Sequence, residues 1–299
     1  MIEPRAFPTA AQLEELDAAL DQALRTGDTS HLILLGYGEI SCVLQYGRGD
    51  ETFACKRLPV FRDEPARAAY AAVFEEYLQV LADRGTMATP SKLVTLEGPG
   101  EGRRVYCVQP KLAGSTLLPQ WLKTADDDAA RSVFLDLVAR FERVARGDVG
   151  IDGQLSNWAL VDEKLSYLDV TTPMLRDTRG AEKLDVDLFL ASLPWALRFP
   201  VKKLMIRDIL DKYYVPRGIV LDLLGNLIKE KLEAKTALFL EALGERFSPR
   251  ISEKEIRAYY ADDAGTWALL QRLRRMDRAW QTKVRRRTYP FLLPGPIER

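Results

Sequence analysis

The stretch Asp148-Val149-Gly150-Ile151-Asp152-Gly153-Gln154-Leu155-Ser156-Asn157 decides how the chain reads. It continues into Trp158-Ala159-Leu160-Val161, a polar Asp162-Glu163-Lys164, and Leu165-Ser166-Tyr167-Leu168-Asp169. It is a loop feeding a short β-hairpin, because two apolar runs of strand length flank three polar residues. An acid and an amide stand at its start and a second acid at its end. Asp152 and Asn157 have the D-x-x-x-x-N spacing, in which the acid orients an attacking hydroxyl and the amide helps to hold magnesium. Asp169 comes twelve residues after Asn157, where a second metal-binding carboxylate is wanted. The stretch points to a phosphate-transfer site.

On either side of it the chain is helical. Ala129, Val133, Phe134, Leu137, Val138, Phe141 and Val144 recur at helical spacing over 125–146, and Gly147 ends that helix at the loop. After Asp169, Thr171-Thr172-Pro173 breaks the strand, and residues from about 183 to 283 keep a helical period. Leu221, Leu224, Leu227, Ile228 and Leu232 form the strongest stripe and read as core. Trp195, Trp267 and Trp280 read as buried anchors.

The N-terminal third has a different period. Leu13, Leu16, Ala19, Leu20, Ala23 and Leu24 define an amphipathic helix over 9–26, stopped by Gly27. Residues 31–60 then form a three-stranded meander, whose first connection is Gly36-Tyr37-Gly38-Glu39-Ile40-Ser41. Its glycines either let backbone N–H groups approach phosphate oxygens or make a plain hairpin turn. Lys56 ends the third strand, 18 residues after Gly38. A helix over 64–84 carries Glu75 and Glu76, 19 and 20 residues after Lys56; either could pair with it, and the spacing favours Glu75. A second hairpin (92–96 and 105–109) runs into Gln109-Pro110-Lys111-Leu112-Ala113-Gly114, whose proline and glycine mark a linker to the helical remainder.

Composition excludes several classes. The 299 residues are 47% apolar and 29% charged, an ordinary globular balance that is neither disordered nor fibrous. Lys+Arg and Asp+Glu both total 43, so the molecule as a whole has no bias toward nucleic acid or membrane, and neither is expected as a partner. The basic run Lys283-Val284-Arg285-Arg286-Arg287 reads as a solvated helix face. Cys42, Cys55 and Cys107 lie far apart in apolar runs, the pattern of reduced core thiols in a cytoplasmic protein. The single histidine, His31, precedes a strand and reads as an edge residue, which leaves no second imidazole for zinc. No signal-peptide core and no membrane-length apolar run is present, so the expected location is the cytoplasm.

With these features in one order, the chain resembles the protein-kinase-like superfamily, nearer its aminoglycoside phosphotransferase and choline kinase branch than the eukaryotic protein kinases. Asp152-Gly153-Gln154-Leu155-Ser156-Asn157 is similar to that branch's D-L-H-P-x-N loop, and Leu168-Asp169 to its metal-binding I-D-F/W segment. The resemblance covers about residues 31–175. It implies an α+β, bilobal fold: an N-terminal helix in 1–30, a small antiparallel-sheet lobe over 31–110 and a large helical lobe over 111–299. ATP would lie between the lobes, under the backbone of Gly36, Gly38 and Ser41, with Lys56 held by Glu75 against its phosphates. The adenine edge would face the Gln109–Lys111 linker. Asn157 and Asp169 would ligate Mg2+, and Asp152 would be the catalytic group at the acceptor hydroxyl. The implied partner is a small-molecule acceptor bound by the helical lobe, where Asp185, Asp187, Asp208 and Asp211 either hold a cation or are simply solvated.

Three positions depart from the resemblance. Gly150 stands where the family usually has histidine, Val170 where it has an aromatic residue or glycine, and Ser41 where it has the last loop glycine. None removes a group that contacts phosphate or metal, so a working site is implied. The alternative is a pseudokinase-like, non-catalytic module that binds nucleotide or a protein partner.

Overall fold

A computed structural model describes residues 6–37, 41–49, 51–97, 102–190, 193–204 and 206–293. Helix α1 (Ala10–Thr26) starts at a reciprocal cap in which Thr9 Oγ1 accepts from the Gln12 N–H and Gln12 Oε1 accepts from the Thr9 N–H. Strands β1 (Leu34–Tyr37), β2 (Cys42–Arg48), β3 (Glu51–Arg57), β4 (Lys92–Leu96) and β5 (Arg104–Pro110) form one antiparallel sheet in the order β1-β2-β3-β5-β4. The meander and the second hairpin are thus joined through β3 and β5, which sets Lys56 opposite Cys107.

β5 is apolar on both faces because both are covered. Tyr106 and Val108 pack with Leu13 of α1, while Val105 and Cys107 join the core that includes helix α2 (Glu64–Asp83). Asp63 caps α2 through the Ala66 N–H. The buried face of α2 is Tyr70, Phe74, Tyr77 and Leu81, spaced at one and two turns.

The remainder is mostly helical: α3 (Leu118–Leu122), α4 (Asp127–Val144), the hairpin β6 (Trp158–Val161) and β7 (Lys164–Tyr167), then α5 (Asp187–Leu190), α6 (Trp195–Leu204), α7 (Ile206–Asp211), α8 (Pro216–Lys229), α9 (Thr236–Leu243) and α10 (Glu253–Ala279). A single core joins the α2 aromatics to Phe134, Leu137 and Phe141 of α4, Trp158 and Tyr167 of the hairpin, and Ile219, Leu223 and Leu227 of α8. Burying each of these large side chains is worth about 2–3 kcal/mol, which fastens α2 to the helical part as well as to the sheet. The chain is α+β, with a small antiparallel sheet and a larger helical part.

Several expectations change here. Gly36 and Tyr37 belong to β1, paired with Val43 and Cys42 after a bulge at Leu34–Gly36, so the strand runs further than its apolar run suggests. Trp280 is 50% exposed and Trp267 part-buried, so neither is a fully buried anchor; the Trp195 side chain lies outside the described residues. The three cysteines are free and buried, and burial pushes the thiols up to about 11 for Cys42 and about 12 for Cys55 and Cys107. His31 Nε2 contacts the Ala19 carbonyl, tying the turn before β1 to α1. Among the described residues no helix is long and apolar enough to cross a membrane.

Candidate functional site

The β6–β7 hairpin is closed by a two-residue turn, Asp162-Glu163, at φ 48° and 60°, the conformation that matches strand twist. Its register pairs Trp158 with Tyr167, which makes Asn157 and Leu168 neighbours; the Leu168 N–H donates to the Asn157 carbonyl. Asn157 and Asp169, twelve apart in sequence, therefore both lie at the open end of the hairpin.

Lys56 arrives there from the sheet. Its Nζ lies 2.9 Å from Asp169 Oδ1, joining residues 113 apart in sequence. Thr171 Oγ1 donates to the same oxygen at 2.8 Å, and Tyr70 of α2 donates to the Thr171 carbonyl. Burial alone would raise the Asp169 carboxyl; the Lys56 ammonium, by its charge and its hydrogen bond, and then the Thr171 hydroxyl and N–H outweigh it and hold the group below its ordinary value. The side chains are 17% and 28% exposed, so removing either charge costs about 2–3 kcal/mol, short of the fully buried case.

Asp152 sits on a loop held mainly by aromatic side chains. Tyr77 donates to the Gly150 carbonyl, Trp158 Nε1 to the Asp152 carbonyl, and the Asp152 N–H to the Tyr167 hydroxyl. On the other side the Ile151 N–H donates to the Tyr213 carbonyl. At Gly150 the packing leaves no room for a side chain: a Cβ would stand 2.9 Å from Met174 Cβ and 3.2 Å from the Tyr213 carbonyl oxygen. A Cβ on Gly153 would meet Ile219 Cγ2 at 2.5 Å, so α8 lies directly on the loop. The loop's shape comes from tyrosine and tryptophan side chains.

The Asp152 carboxylate accepts from the Gln154 N–H at 2.9 Å. Burial, then the nearby charges of Asp222 and Asp169, push it up to about 8, against the opposing Gln154 N–H and the Lys212 ammonium. Lys212 follows α7 in a short turn and is clamped by Asp222 of α8 and Tyr259 of α10, with Nζ distances of 3.1 and 2.7 Å. Burial would lower its ammonium, but Asp222 and Tyr259 hold it raised. Tyr259 also donates to Asp222 Oδ1, while Asp222 Oδ2 is buried without a hydrogen-bond partner among the described residues. Lys212, Asp222 and Tyr259 belong to no motif in the sequence; the one available signal is an acid, Asp222, inside an apolar helix.

Other expected residues are engaged elsewhere. Glu75 is exposed and Glu76 pairs with Lys183 at 2.5 Å; among the described residues neither pairs with Lys56. The reason is the rotation of α2, whose inward face is taken by Tyr70, Phe74 and Tyr77. Gln109 and Lys111 are not a free linker. Gln109 pairs with Ala54 in the sheet and its amide donates to the Leu168 carbonyl, while the Lys111 N–H bonds Thr52 and its Nζ bonds Gln45. Asp185 accepts from the Asp187 N–H, Asp187 pairs with Lys202, Asp211 with Arg176, and Asp208 is exposed. Gly36 has open space around its missing Cβ, Ser41 Oγ is buried without a partner among the described residues, and Gly38 lies outside them.

Among the described residues no cluster of three or more His, Cys, Asp or Glu gathers as a metal site. What remains for a hard cation is one carboxylate, Asp169, and the Asn157 amide, which makes no side-chain hydrogen bond among the described residues. Magnesium accepts such a sparse protein set when phosphate and water complete it.

Fold and site together define an α+β chain whose small sheet delivers one lysine to a loop-and-hairpin unit of the helical part. The chain belongs to a family of unknown function, DUF6206, whose profile matches residues 15–278. No curated protein matches the sequence.

Proposed function

We propose that the chain is an ATP- and magnesium-dependent phosphotransferase of bilobal, protein-kinase-like fold, acting on the hydroxyl of a small molecule. The observation that carries this reading is the Lys56–Asp169 pair, formed where Asn157 and the Asp152 loop also arrive. Magnesium, held by Asn157 and Asp169, would neutralise charge on the transferred phosphoryl group. Lys56 binds phosphate oxygens from the sheet side. Asp152 orients the acceptor hydroxyl and takes its proton, a task suited to a carboxylate that titrates near working pH. Tyr77, Tyr167 and Trp158 hold the Asp152 backbone still, so that positioning supplies much of the rate. Lys212, oriented by Asp222 and Tyr259, puts a fixed positive charge on the acceptor side of Asp152.

A second reading, a non-catalytic nucleotide-binding or interaction module, is favoured by the absence of a glutamate on Lys56 among the described residues. Thermal-shift measurement with ATP and magnesium, followed by phosphotransfer from labelled ATP to a panel of hydroxyl compounds, separates the two. Asp152→Ala is expected to lower transfer about 100-fold or more while leaving the nucleotide-induced shift intact. Full turnover in that variant contradicts the assignment. Nucleotide binding with no transfer by the unaltered protein favours the second reading.

A further inference from the structure

The second half of α10 and the turn that continues it are inside out. Gln271 and Arg274 are buried, whereas Leu269, Met276, Trp280 and Val284 are 50–68% exposed. At about 100° per residue, Leu269, Met276 and Trp280 fall within about 40° of one another, and Gln271 and Arg274 lie on the opposite side. A surface helix ordinarily shows the reverse pattern. Single exposed apolar residues need no explanation, but a stripe aligned over about 22 Å marks an interaction surface.

The same segment carries a concentrated charge. Residues 269–287 contain eight Lys and Arg against one Asp, a net +7, in a chain whose total is 43 of each sign. Arg272, Arg275, Lys283, Arg285, Arg286 and Arg287 are all exposed. One heptad before Leu269 the stripe meets Asp262, so apolar and basic character end together. The platform is fixed at both ends: Tyr259 bonds Asp222 and Lys212, and the tail beyond packs Leu292 against the α1 core.

We propose that this face of α10 docks on an anionic phospholipid bilayer surface, with Trp280, Met276, Leu269 and Val284 entering the headgroup boundary and the flanking bases meeting lipid phosphates. The neutrality of the whole chain conceals this local asymmetry. The contact is with the surface, since no described helix can span a bilayer. A second copy of the chain fits less well, because pairing the stripes would bring two strongly basic faces together. Nucleic acid would leave Leu269, Met276 and Val284 without a role.

Flotation of the full chain with vesicles tests the proposal. Vesicles of phosphatidylcholine with phosphatidylglycerol are expected to carry the protein upward at low ionic strength, and phosphatidylcholine alone is not. Replacing Lys283, Arg285, Arg286 and Arg287 by Gln should lower partitioning about fivefold per charge. Trp280→Ser with Met276→Ser should lower it about tenfold or more, with the circular dichroism spectrum unchanged. No flotation with the anionic vesicles, or equal flotation with both kinds, overturns the proposal. So does binding that ignores Trp280 and Met276, which would indicate a general polyanion surface. A lipid-free dimer abolished by Trp280→Ser would instead assign the stripe to a second copy.

Discussion

On α1, Asp17 lies against Arg57, Arg104 and the Tyr106 hydroxyl and is 1% exposed. Beyond α2, Asp152 is part-buried, yet its direct hydrogen bond is to the Gln154 N–H, and two further acids stand near it. The first carboxylate is matched on every side, although it borders a cleft of about 340 Å3 lined by Glu14, Asp21, Arg25 and Glu97. The second is left wanting a proton or a cation. A matched buried acid fixes helix to sheet. An unmatched one is costly to keep and is retained where chemistry uses it.

That contrast can be broken by mutation. Asp17→Ala takes the buried partner from Arg104, Arg57 and the Tyr106 hydroxyl, leaving the two arginines only Asp21, and should cost about 2–3 kcal/mol of unfolding free energy in urea melts, leaving nucleotide binding unchanged. Asp152→Asn should do the opposite, abolishing transfer with little loss of stability. A marked fall in stability for Asp152→Asn would place the two acids in one class.

The pH dependence sharpens the same point. Between its ordinary 3.8 and about 8 Asp152 keeps a proton in the folded protein that the unfolded chain has lost. Its contribution to stability therefore falls as pH rises through that window, and Asp152→Asn should flatten this part of the curve. Transfer should rise over the same range as the carboxylate forms; a rate that falls there would exclude Asp152 as the base. The smallest effect concerns the aromatic scaffold. Tyr77→Phe removes one buried hydrogen bond to Gly150 and should cost about 1 kcal/mol, with a larger loss in turnover than in nucleotide affinity.

Local pattern carries much of this architecture. The caps of α1, α2 and α4 fall within one or two residues of their signals, and the loop and hairpin that join Asn157 to Asp169 come from alternation and two polar turn residues. The pairing of β3 with β5 and the clamp of Lys212 by Asp222 and Tyr259 depend on contacts distant in sequence, which no window of residues contains. Glu75 fails as a partner for Lys56 because spacing counts residues while the aromatic face of α2 fixes its rotation. Gly150 looks like a defect in the loop until Met174 and Tyr213 give it a steric reason. Trp280 misleads because helical period identifies a stripe without saying which side of it meets solvent.

The central claim is that Lys56, Asn157 and Asp169 form one receptor for a magnesium-bound triphosphate. Calorimetric titration of ATP with magnesium into the intact chain and into Asp169→Asn tests it most directly. The account predicts magnesium-dependent binding by the former that is lost in the latter. Absence of binding to the intact chain, or equal binding to both, would contradict it.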